Sequence, residues 1–490
     1  MIEVTGVTAR VVPVKTRLPF RYGIAEMTAA PHVVVEVRLR CSDGDGDGDG
    51  DGYGDGTLAR GWASEHLPPK WFTKDPDTSF ADDLVGLVGV VRHATDAATG
   101  LRAATAFALW RALDDIQTRW AASSGVPGLL AGLGTALVER AVIDAVCRAS
   151  GTPFAAALHR GRLGFDPGAL HPELAAVDWR AHLRSDPAPT IAVRHTVGFA
   201  DALTADEAVD RPGDGLPVSL DEVILQDCVH HLKVKTAGDA AADLLRLGRI
   251  FAVCDALGVE PRLTVDANES MRDADHLARW ARALLGDAHV GPRLRDALIA
   301  VEQPVHRDAA FAPELGGVLR ELSSRGMPVI IDESDDGVDA VRRALDLGYA
   351  GGTYKGCKGV FRGLANGVLA RSRDTPEHPT IMTAEDLSTL PPLTVAQDLV
   401  VAATLGLTHI ERNGHHYFGR LAPLMPGIAA LARQSHPDLY RADPRVGARL
   451  RVRAGSLEFA SALAAPFGFA PELDVSALPE LTLEAARAAS

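Results

Sequence analysis

Lysine is scarce in this chain of 490 residues. Only seven of its 50 basic residues are lysine: Lys15, Lys70, Lys74, Lys233, Lys235, Lys355 and Lys358. The others are arginine, whose pKa is too high for proton transfer near neutral pH. Four of the seven lysines form two short clusters, at 233–235 and 355–358. Codon bias accounts for a general preference for arginine. A site that needs a basic side chain able to lose its proton would nevertheless keep lysines, and it would keep them close together.

Cysteine is also sparse, and long apolar runs are missing. The five cysteines are odd in number, widely spaced and without a Cys-x-x-Cys pair, which argues against a disulfide framework or a zinc ribbon. No uninterrupted apolar run of about 20 residues predicts a membrane span. The N-terminal residues lack the charged and then apolar pattern of a signal peptide, so we expect a cytoplasmic protein.

Positive charge is in deficit. The chain has 64 acidic against 50 basic residues and a formal net charge of −14, which argues against nucleic acid and anionic membranes as partners. Its 47% hydrophobic and 23% charged residues are typical of a globular protein. We therefore expect a small-molecule substrate, no nucleic-acid or membrane partner, and a homo-oligomer.

The first part of the chain reads as a small α+β domain. Residues 1–40 alternate like strands, and 80–122 and 130–149 carry helical apolar spacing. Between them, the Asp-Gly repeats of 43–56 predict a flexible loop, since they cannot bury apolar surface; the ligand spacing of a calcium-binding EF-hand is missing. We expect this α+β domain at 1–128, a second and larger domain at 129–435, and a C-terminal segment at 436–490 that returns to the first domain.

Short apolar strands alternate with amphipathic helices through the middle of the chain. This alternation predicts a parallel sheet, and eight such units match a TIM-type barrel. A doubly wound open sheet is the alternative, weakened by the lack of a Gly-rich dinucleotide turn. The predicted strands are 190–197, 230–235, 262–267, 297–303, 328–334, 352–356, 379–386 and 407–413.

Ionisable residues recur at the carboxyl ends of these strands. The series begins at Lys235 and continues with Asp266, Glu302, Asp332 and Lys355. Successive members are 31, 36, 30 and 23 residues apart, each interval being about one strand–helix unit. Taken singly, such residues are often helix caps or salt-bridge partners, but barrel active sites are built at this end. Three converging carboxylates would repel one another unless a divalent cation offset them. All-oxygen ligands favour Mg²⁺, or Mn²⁺, over zinc.

The lysines flank this carboxylate group. Lys233 and Lys235 are two residues apart on one strand, so both point to the same face, and Lys355 comes from a strand on the other side. A cation and other ammonium groups nearby favour a neutral lysine, which is a usable base. Such an assembly is suited to removing a proton next to a substrate carboxylate, with the metal stabilising the enediolate.

The motif series resembles that of the enolase superfamily: KVK at 233–235, VDAN at 265–268, VEQP at 301–304, DES at 332–334 and YK at 354–355. The Lys-x-Lys and Asp-Glu-Ser motifs are similar to the muconate-lactonizing and mandelate-racemase-like enzymes. The resemblance implies an α+β capping domain on a modified (β/α)7β barrel. It also implies Mg²⁺ on Asp266, Glu302 and Asp332, Lys235 as base, Lys355 as acid or base on the opposite face, and Lys233 tuning Lys235.

Proton abstraction by these groups permits racemisation, epimerisation or cycloisomerisation. Dehydration of an acid sugar or related carboxylate is an alternative, and so is a catalytically silent metal- and carboxylate-binding barrel. Lys358 competes with Lys355 for the catalytic role, but strand alternation places it on the opposite face and favours Lys355. Glu385 and Asp386 are candidates for recognising a cationic group or for capping a helix. Further candidates for contacts near the metal or substrate are Asn268, Glu333, His415, His416, Tyr22 and Arg21.

Overall fold

The computed structural model describes residues 1–42, 56–209 and 211–490. The Asp-Gly loop predicted at 43–56 lies, except for Gly56, outside the described residues. None of the helices within these three ranges is long and apolar enough to cross a membrane.

An antiparallel sheet forms the first part of the molecule. Its strands are β1 (Ile2–Tyr22), β2 (Ala25–Cys41), β3 (Thr57–His66) and β4 (Arg102–Ala103), in the order β3-β2-β1-β4. Helices α1 (Phe80–Ala98) and α3 (Gly128–Ala149) pack on the sheet, and α2 (Ala106–Ser124) packs on both helices. At Gly61 in β3 a Cβ would lie 2.1 Å from the carbonyl oxygen of Ala141 in α3. Only glycine permits this close approach, and we call the whole unit the capping domain.

Eight parallel strands close into a barrel. Neighbouring strands pair in chain order from β5 to β12, and β12 returns to β5, with His409 opposite Ala192 and Glu411 opposite Arg194. The predicted TIM-type barrel with a capping domain is therefore confirmed, and the open-sheet alternative is wrong because the two outer strands pair. The strands are β5 (Thr190–Val197), β6 (His231–Lys235), β7 (Arg262–Asp266), β8 (Leu298–Glu302), β9 (Val329–Ile331), β10 (Gly351–Tyr354), β11 (Ile381–Ala384) and β12 (His409–Glu411).

Helices cover the outside of the barrel and connect its strands. Each of the first seven strands is followed by at least one helix before the next strand begins, which is the expected (β/α)7β connectivity. The single turn α13 (Gly414–Tyr417) follows the last barrel strand. The other helices are α4 (Phe154–His159), α5 (Leu220–Asp227), α6 (Ala240–Ala256), α7 (Ala274–Gly286), α8 (Val290–Ala297), α9 (Leu315–Ser324), α10 (Ala340–Leu347), α11 (Val360–Ser372) and α12 (Leu393–Thr404).

The last part of the chain runs along the barrel and then contacts the capping domain. It contains α14 (Ile428–Ser435), β13 (Tyr440–Asp443), β14 (Gly447–Leu450), β15 (Val452–Arg453), β16 (Ser456–Glu458), α15 (Ala460–Leu463) and α16 (Leu483–Ala488). β16 pairs antiparallel with the start of β5. The N–H of Leu481 donates to the carbonyl of Ala9 at 2.9 Å, and that of Val11 to Pro479 at 3.0 Å. The domain limits at 128 and 435 stay a prediction.

Candidate active site

The registers of the barrel strands align the ionisable residues at one end. Lys235 lies opposite Asp266 in the β6–β7 ladder, and Asp266 lies opposite Glu302 in the β7–β8 ladder. Asp332 and Lys355 directly follow β9 and β10. All five side chains are buried. The structure thus brings these predicted site residues together at the carboxyl end of the barrel, although their roles stay a prediction.

Lys233 is the centre of the charged cluster. Its Nζ lies 2.8 Å from Glu302, 2.7 Å from Glu385, 3.1 Å from Glu411 and 3.1 Å from Asp266. Burial favours the neutral amine, but the four surrounding carboxylates outweigh burial and raise the pKa of Lys233 well above its usual range. Lys233 is therefore a fixed ammonium that holds four strand ends together electrostatically.

Two further lysines contact different carboxylates of the cluster. The Nζ of Lys235 donates to Oδ2 of Asp266 at 2.5 Å, and that of Lys355 donates to Oδ2 of Asp332 at 2.5 Å. Lys355 also lies 3.2 Å from Glu385. The two amines therefore come from the second and the sixth barrel strands and enter the site from different sides.

Lys358 also points into this cluster, so the prediction that it faces the opposite way is wrong. Gly356–Lys358 forms a 3-10 turn in which the alternation of a strand no longer holds. Its Nζ lies 2.8 Å from Oδ1 of Asp332 and donates to the Asp332 carbonyl at 2.7 Å. Burial opposes the charged form of Asp332, but Lys355 and Lys358 outweigh it and hold the pKa of this carboxyl well below its ordinary value.

Three buried carboxylates are close enough to share a cation. Oxygen atoms of Glu302, Asp332 and Glu385 all lie within 4.8 Å of one another. Oε2 of Glu302 is buried without a hydrogen-bond partner. Burial, and then Asp266 and Glu385, raise the pKa of Glu302 well above its ordinary value, as expected for a carboxylate in need of positive charge. An oxygen-only donor set of this kind fits Mg²⁺ or Mn²⁺.

Asp266 belongs to the same cluster but is engaged differently. Its Oδ2 accepts a hydrogen bond from Nζ of Lys235 at 2.5 Å, and its Oδ1 accepts one from the backbone N–H of Asn268 at 2.8 Å. The side chain of Asn268 donates to Oε1 of Glu333 at 3.2 Å. Burial and the neighbouring Asp332 raise the pKa of Glu333 to about 7. Asn268 and Glu333 thus form a polar layer beside the carboxylates, as expected for supporting residues.

Sequence reasoning did not place Glu385 in the carboxylate cluster. Its Oε1 accepts from Arg194 at 2.7 Å, and both side chains are fully buried. The adjacent Asp386 pairs with Arg412 at 3.1 Å and accepts the N–H of Gly414 at the start of α13. The available signals were the position of Glu385 at the end of the seventh strand and an arginine within the apolar strand β5. With buried arginines on both carboxylates, a free acidic pair for a cationic substrate group is not formed.

The capping domain closes the mouth of the barrel with aromatic side chains. Phe20, Tyr22 and Trp71 line a small cavity together with Lys233, Lys235 and Lys355. The hydroxyl of Tyr22 donates to the Pro69 carbonyl at 2.8 Å, so its ring rather than its hydroxyl is available to a ligand.

Arg21 lies outside this cavity. Its guanidinium pairs with Glu26 at 2.5 Å, and more than half of its side chain, 55%, is exposed. Strand alternation explains this placement, because Phe20 and Tyr22 on either side of Arg21 point inward.

His415 and His416 are placed beside the cavity rather than in it. The ring of His416 packs edge-on against His195, with centroids 5.0 Å apart. His415 lines a separate surface cavity with Arg449. Burial lowers the pKa of both histidines, which keeps them neutral. Over the described ranges, the side chains spaced to hold a metal ion are those of Glu302, Asp332 and Glu385, and neither histidine belongs to that group.

Comparisons with known proteins show the fold. No family model and no curated protein matches the chain. Among solved structures it resembles a mandelate racemase/muconate lactonizing protein from Herpetosiphon aurantiacus, at 18% identity and a TM-score of 0.56, over 94% of this chain and 96% of that one. It is also similar to an enolase from Bradyrhizobium complexed with magnesium and mandelic acid, at 17% identity and TM-score 0.56, over 98% and 99%.

A third similar structure is a dipeptide epimerase from Cytophaga hutchinsonii complexed with Mg and D-Ala-L-Val. It is 15% identical, with a TM-score of 0.55, over 95% of this chain and 98% of that one. At these identities the likeness establishes architecture. The chain therefore has the barrel and capping domain of the mandelate racemase and muconate lactonizing structures.

Proposed function

We propose that this protein is a divalent-cation-dependent enzyme that transfers a proton at the carbon next to a substrate carboxylate. The observation that carries the proposal is the pair Lys235 and Lys355. These two buried amines come from different sides of one carboxylate cluster and line the same cavity. Similar structures with mandelic acid or a dipeptide bound support a small carboxylate as the substrate.

Asp266, Glu302 and Asp332 would hold the cation, which we propose to be Mg²⁺. The oxygen donors and the unpartnered Oε2 of Glu302 fit such an ion. Glu385 lies close enough to join them, but we assign the ligands to Asp266, Glu302 and Asp332 because they stand at the ends of three successive barrel strands, as in the motif series that the sequence resembles. Bound there, Mg²⁺ supplies positive charge that stabilises the negative charge developing on a substrate carboxylate.

The lysines of the chain perform the proton transfer. In one direction the neutral amine of Lys235 takes the α-proton, the carbon–hydrogen bond breaks, and its electron pair passes into the carboxylate. The ammonium of Lys355 then returns a proton to the other face of the carbon, which inverts the centre; in the reverse direction the two lysines exchange roles. Lys233 remains an ammonium that orients the carboxylates, and the aromatic cap excludes water from the site.

Racemisation or epimerisation uses both lysines as proton carriers. Cycloisomerisation and dehydration need one lysine as base and leave the other as a cation. The products therefore distinguish these reactions, while loss of the α-proton is common to all of them.

Solvent deuterium exchange at the α-carbon tests the proposal. Enantiopure mandelate and dipeptides such as D-Ala-L-Val are suitable first probes within a wider carboxylate library. We expect exchange that requires Mg²⁺ and is lost in Lys235→Met or Lys355→Met. Exchange that survives unchanged in both variants would refute the two-lysine mechanism. Tight Mg²⁺ binding without exchange of any substrate would instead indicate a catalytically silent binder.

A further inference from the structure

A segment of the capping domain lies across the barrel mouth next to the catalytic lysine Lys355. This cap segment, residues 67–79, connects β3 to α1. The Nζ of Lys355 lies 4.7 Å from the centroid of the Trp71 ring, and Trp71 is 6% exposed. An ammonium at this distance from an indole face is attracted by the ring quadrupole. The position of the cap segment is thereby coupled to the position of Lys355.

Arg307 fastens the backbone of the cap segment to the barrel. It lies in the loop after β8, five residues beyond Glu302. Its guanidinium donates to the carbonyls of Trp71 at 3.0 Å and Phe72 at 2.8 Å. Because the acceptors are main-chain atoms, Arg307 fixes where the backbone of Trp71 lies rather than which side chain it carries.

Glu269 holds Arg307 in place and adds a second attachment. Its two oxygens accept from the guanidinium of Arg307 at 2.7 and 2.8 Å, and Oε1 also accepts the backbone N–H of Arg307 at 2.9 Å. Lys74, within the cap segment, donates to the same carboxylate at 2.9 Å and also to the carbonyl of Asn268. The Glu269 side chain is 0% exposed. Removing its charge would leave two half-buried cations without their counter-ion.

The backbone on both sides of this contact is strained. Lys70 and Lys74 in the cap segment have φ values of 57° and 53°, and Asn268 and Glu269 in the barrel loop have 42° and 64°. Residues other than glycine rarely adopt this region, and they persist there only when surrounding contacts enforce it. Strain concentrated where two domains meet indicates that the contact holds a defined geometry.

We infer that Glu269 is a positioning residue, which with Arg307 and Lys74 clamps the cap segment so that Trp71 holds Lys355 in place. This inference rests on the proposed function, because it assigns the clamp to one of the two proton carriers. Each lysine is held by a carboxylate at 2.5 Å, Lys235 by Asp266 and Lys355 by Asp332, but it is Lys355 that also contacts the ring of Trp71. The clamp therefore acts mainly on the face of the substrate carbon that Lys355 serves, and it reaches the Lys235 side only through the contact of Lys74 with the Asn268 carbonyl.

The clamp itself is tested without any substrate. In Glu269→Gln we expect faster hydrogen–deuterium exchange of the backbone amides of residues 67–79, measured by mass spectrometry, and increased labelling of Lys355 by acetic anhydride relative to Lys235. Glu472→Gln is the matched control, since Glu472 of the C-terminal segment forms an exposed ion pair with Arg60 of the capping domain, and it should match the wild type. Unchanged protection of residues 67–79 in Glu269→Gln would refute the clamp, whether or not the protein is an enzyme.

The positioning role is tested with the two enantiomers of an exchanging substrate. Lys355→Met identifies the enantiomer whose exchange depends on Lys355. In Glu269→Gln we expect that exchange to fall about tenfold or more, as small misplacements of a reacting group do, while exchange of the other enantiomer stays near the wild-type rate. Trp71→Leu should reproduce this asymmetry. Trp71→Phe, which keeps an aromatic ring, should largely restore the exchange rate that depends on Lys355. Equal losses for both enantiomers would show a structural role and overturn the positioning assignment.

Discussion

Lys355 and Lys358 contact the two oxygens of one carboxylate, that of Asp332, at 2.5 and 2.8 Å. Only Lys355 of the two also lines the cavity beneath the aromatic cap. Lys358 instead donates its other hydrogen bonds to the carbonyl of Asp332 and to Thr353. On this division of contacts we propose that Lys355 transfers the proton and that Lys358 supports Asp332.

We therefore predict different outcomes for the two lysine variants. Lys355→Met should lower α-proton exchange of one enantiomer by about 10²- to 10⁴-fold, the usual contribution of a general acid or base. Lys358→Met should lower exchange of both enantiomers to a smaller and equal extent, because it acts through Asp332. The measurement is the initial rate of deuterium incorporation. A greater and one-sided loss in Lys358→Met would reverse the assignment.

Metal binding should depend on three of the carboxylates and not on Glu385. We predict that Asp266→Asn, Glu302→Gln and Asp332→Asn each abolish the rise in melting temperature that saturating Mg²⁺ gives the wild type. Binding to the folded state at 100 times the dissociation constant contributes about 2.7 kcal/mol, which a thermal melt resolves. Glu385→Gln should keep the Mg²⁺-dependent rise, since Glu385 stands outside the three successive strand ends to which we assign the ligands. Loss of the rise in Glu385→Gln would place Glu385 among the ligands.

The pair of Arg194 and Glu385 should be a stability determinant of the barrel interior. Both side chains are fully buried, 2.7 Å apart. Removing one partner of such a pair costs about 3–5 kcal/mol, and the lower end applies here because Lys233 and Lys355 still offset part of the Glu385 charge. We predict this loss of unfolding free energy in Arg194→Met, measured by urea denaturation. In the double variant Arg194→Met/Glu385→Gln much of the loss should be recovered, and an additive loss would contradict the coupling.

The stability of the C-terminal segment should depend on pH through His436. Its Nε2 accepts the backbone N–H of Ala470 at 3.2 Å and its Nδ1 lies 2.9 Å from Oγ of Ser461. Burial lowers the pKa of His436 to about 4. The unfolded chain, with a histidine pKa of about 6.5, therefore binds a proton before the folded protein does. Stability is lost as the pH falls from about 6.5 to 4, by at most about 3 kcal/mol from this residue.

His436→Gln removes this titration and keeps a hydrogen-bonding side chain. The difference in unfolding free energy between wild type and variant should therefore shrink as the pH is lowered from 7 to 4. Other buried histidines titrate in both proteins and cancel in the difference. A difference that is constant with pH would show that His436 does not titrate in this range.

The barrel was predictable because its strands are short apolar runs at a repeating spacing, and most of them end at or directly before an ionisable residue. Asp266, Glu302 and Asp332 are brought together by the register of neighbouring strands alone. The regular interval between them in the sequence is enough to predict this. Lys358 was misjudged because the turn Gly356–Lys358 breaks the strand before alternation reaches it.

The partners of the charged residues were not predictable in the same way. An arginine inside the apolar strand β5 indicates that some buried acidic partner exists, but the sequence does not show that this partner is Glu385, far away in the chain. The contact of Arg307 with the carbonyls of Trp71 and Phe72 leaves no side-chain pattern at all, since every residue has a carbonyl. Contacts between domains are set by how the two units pack, and local sequence carries little of that information.

The contacts of β1 determine when the capping domain can finish folding during synthesis. One edge of β1 pairs with β2, but Arg10, in its middle, donates to the carbonyl of Leu478, which lies 468 residues later. The ribosome delivers this partner only after the whole barrel has been synthesised. During synthesis the capping domain therefore stays incomplete until the barrel has been made. It is completed when the last residues of the chain pair with β1.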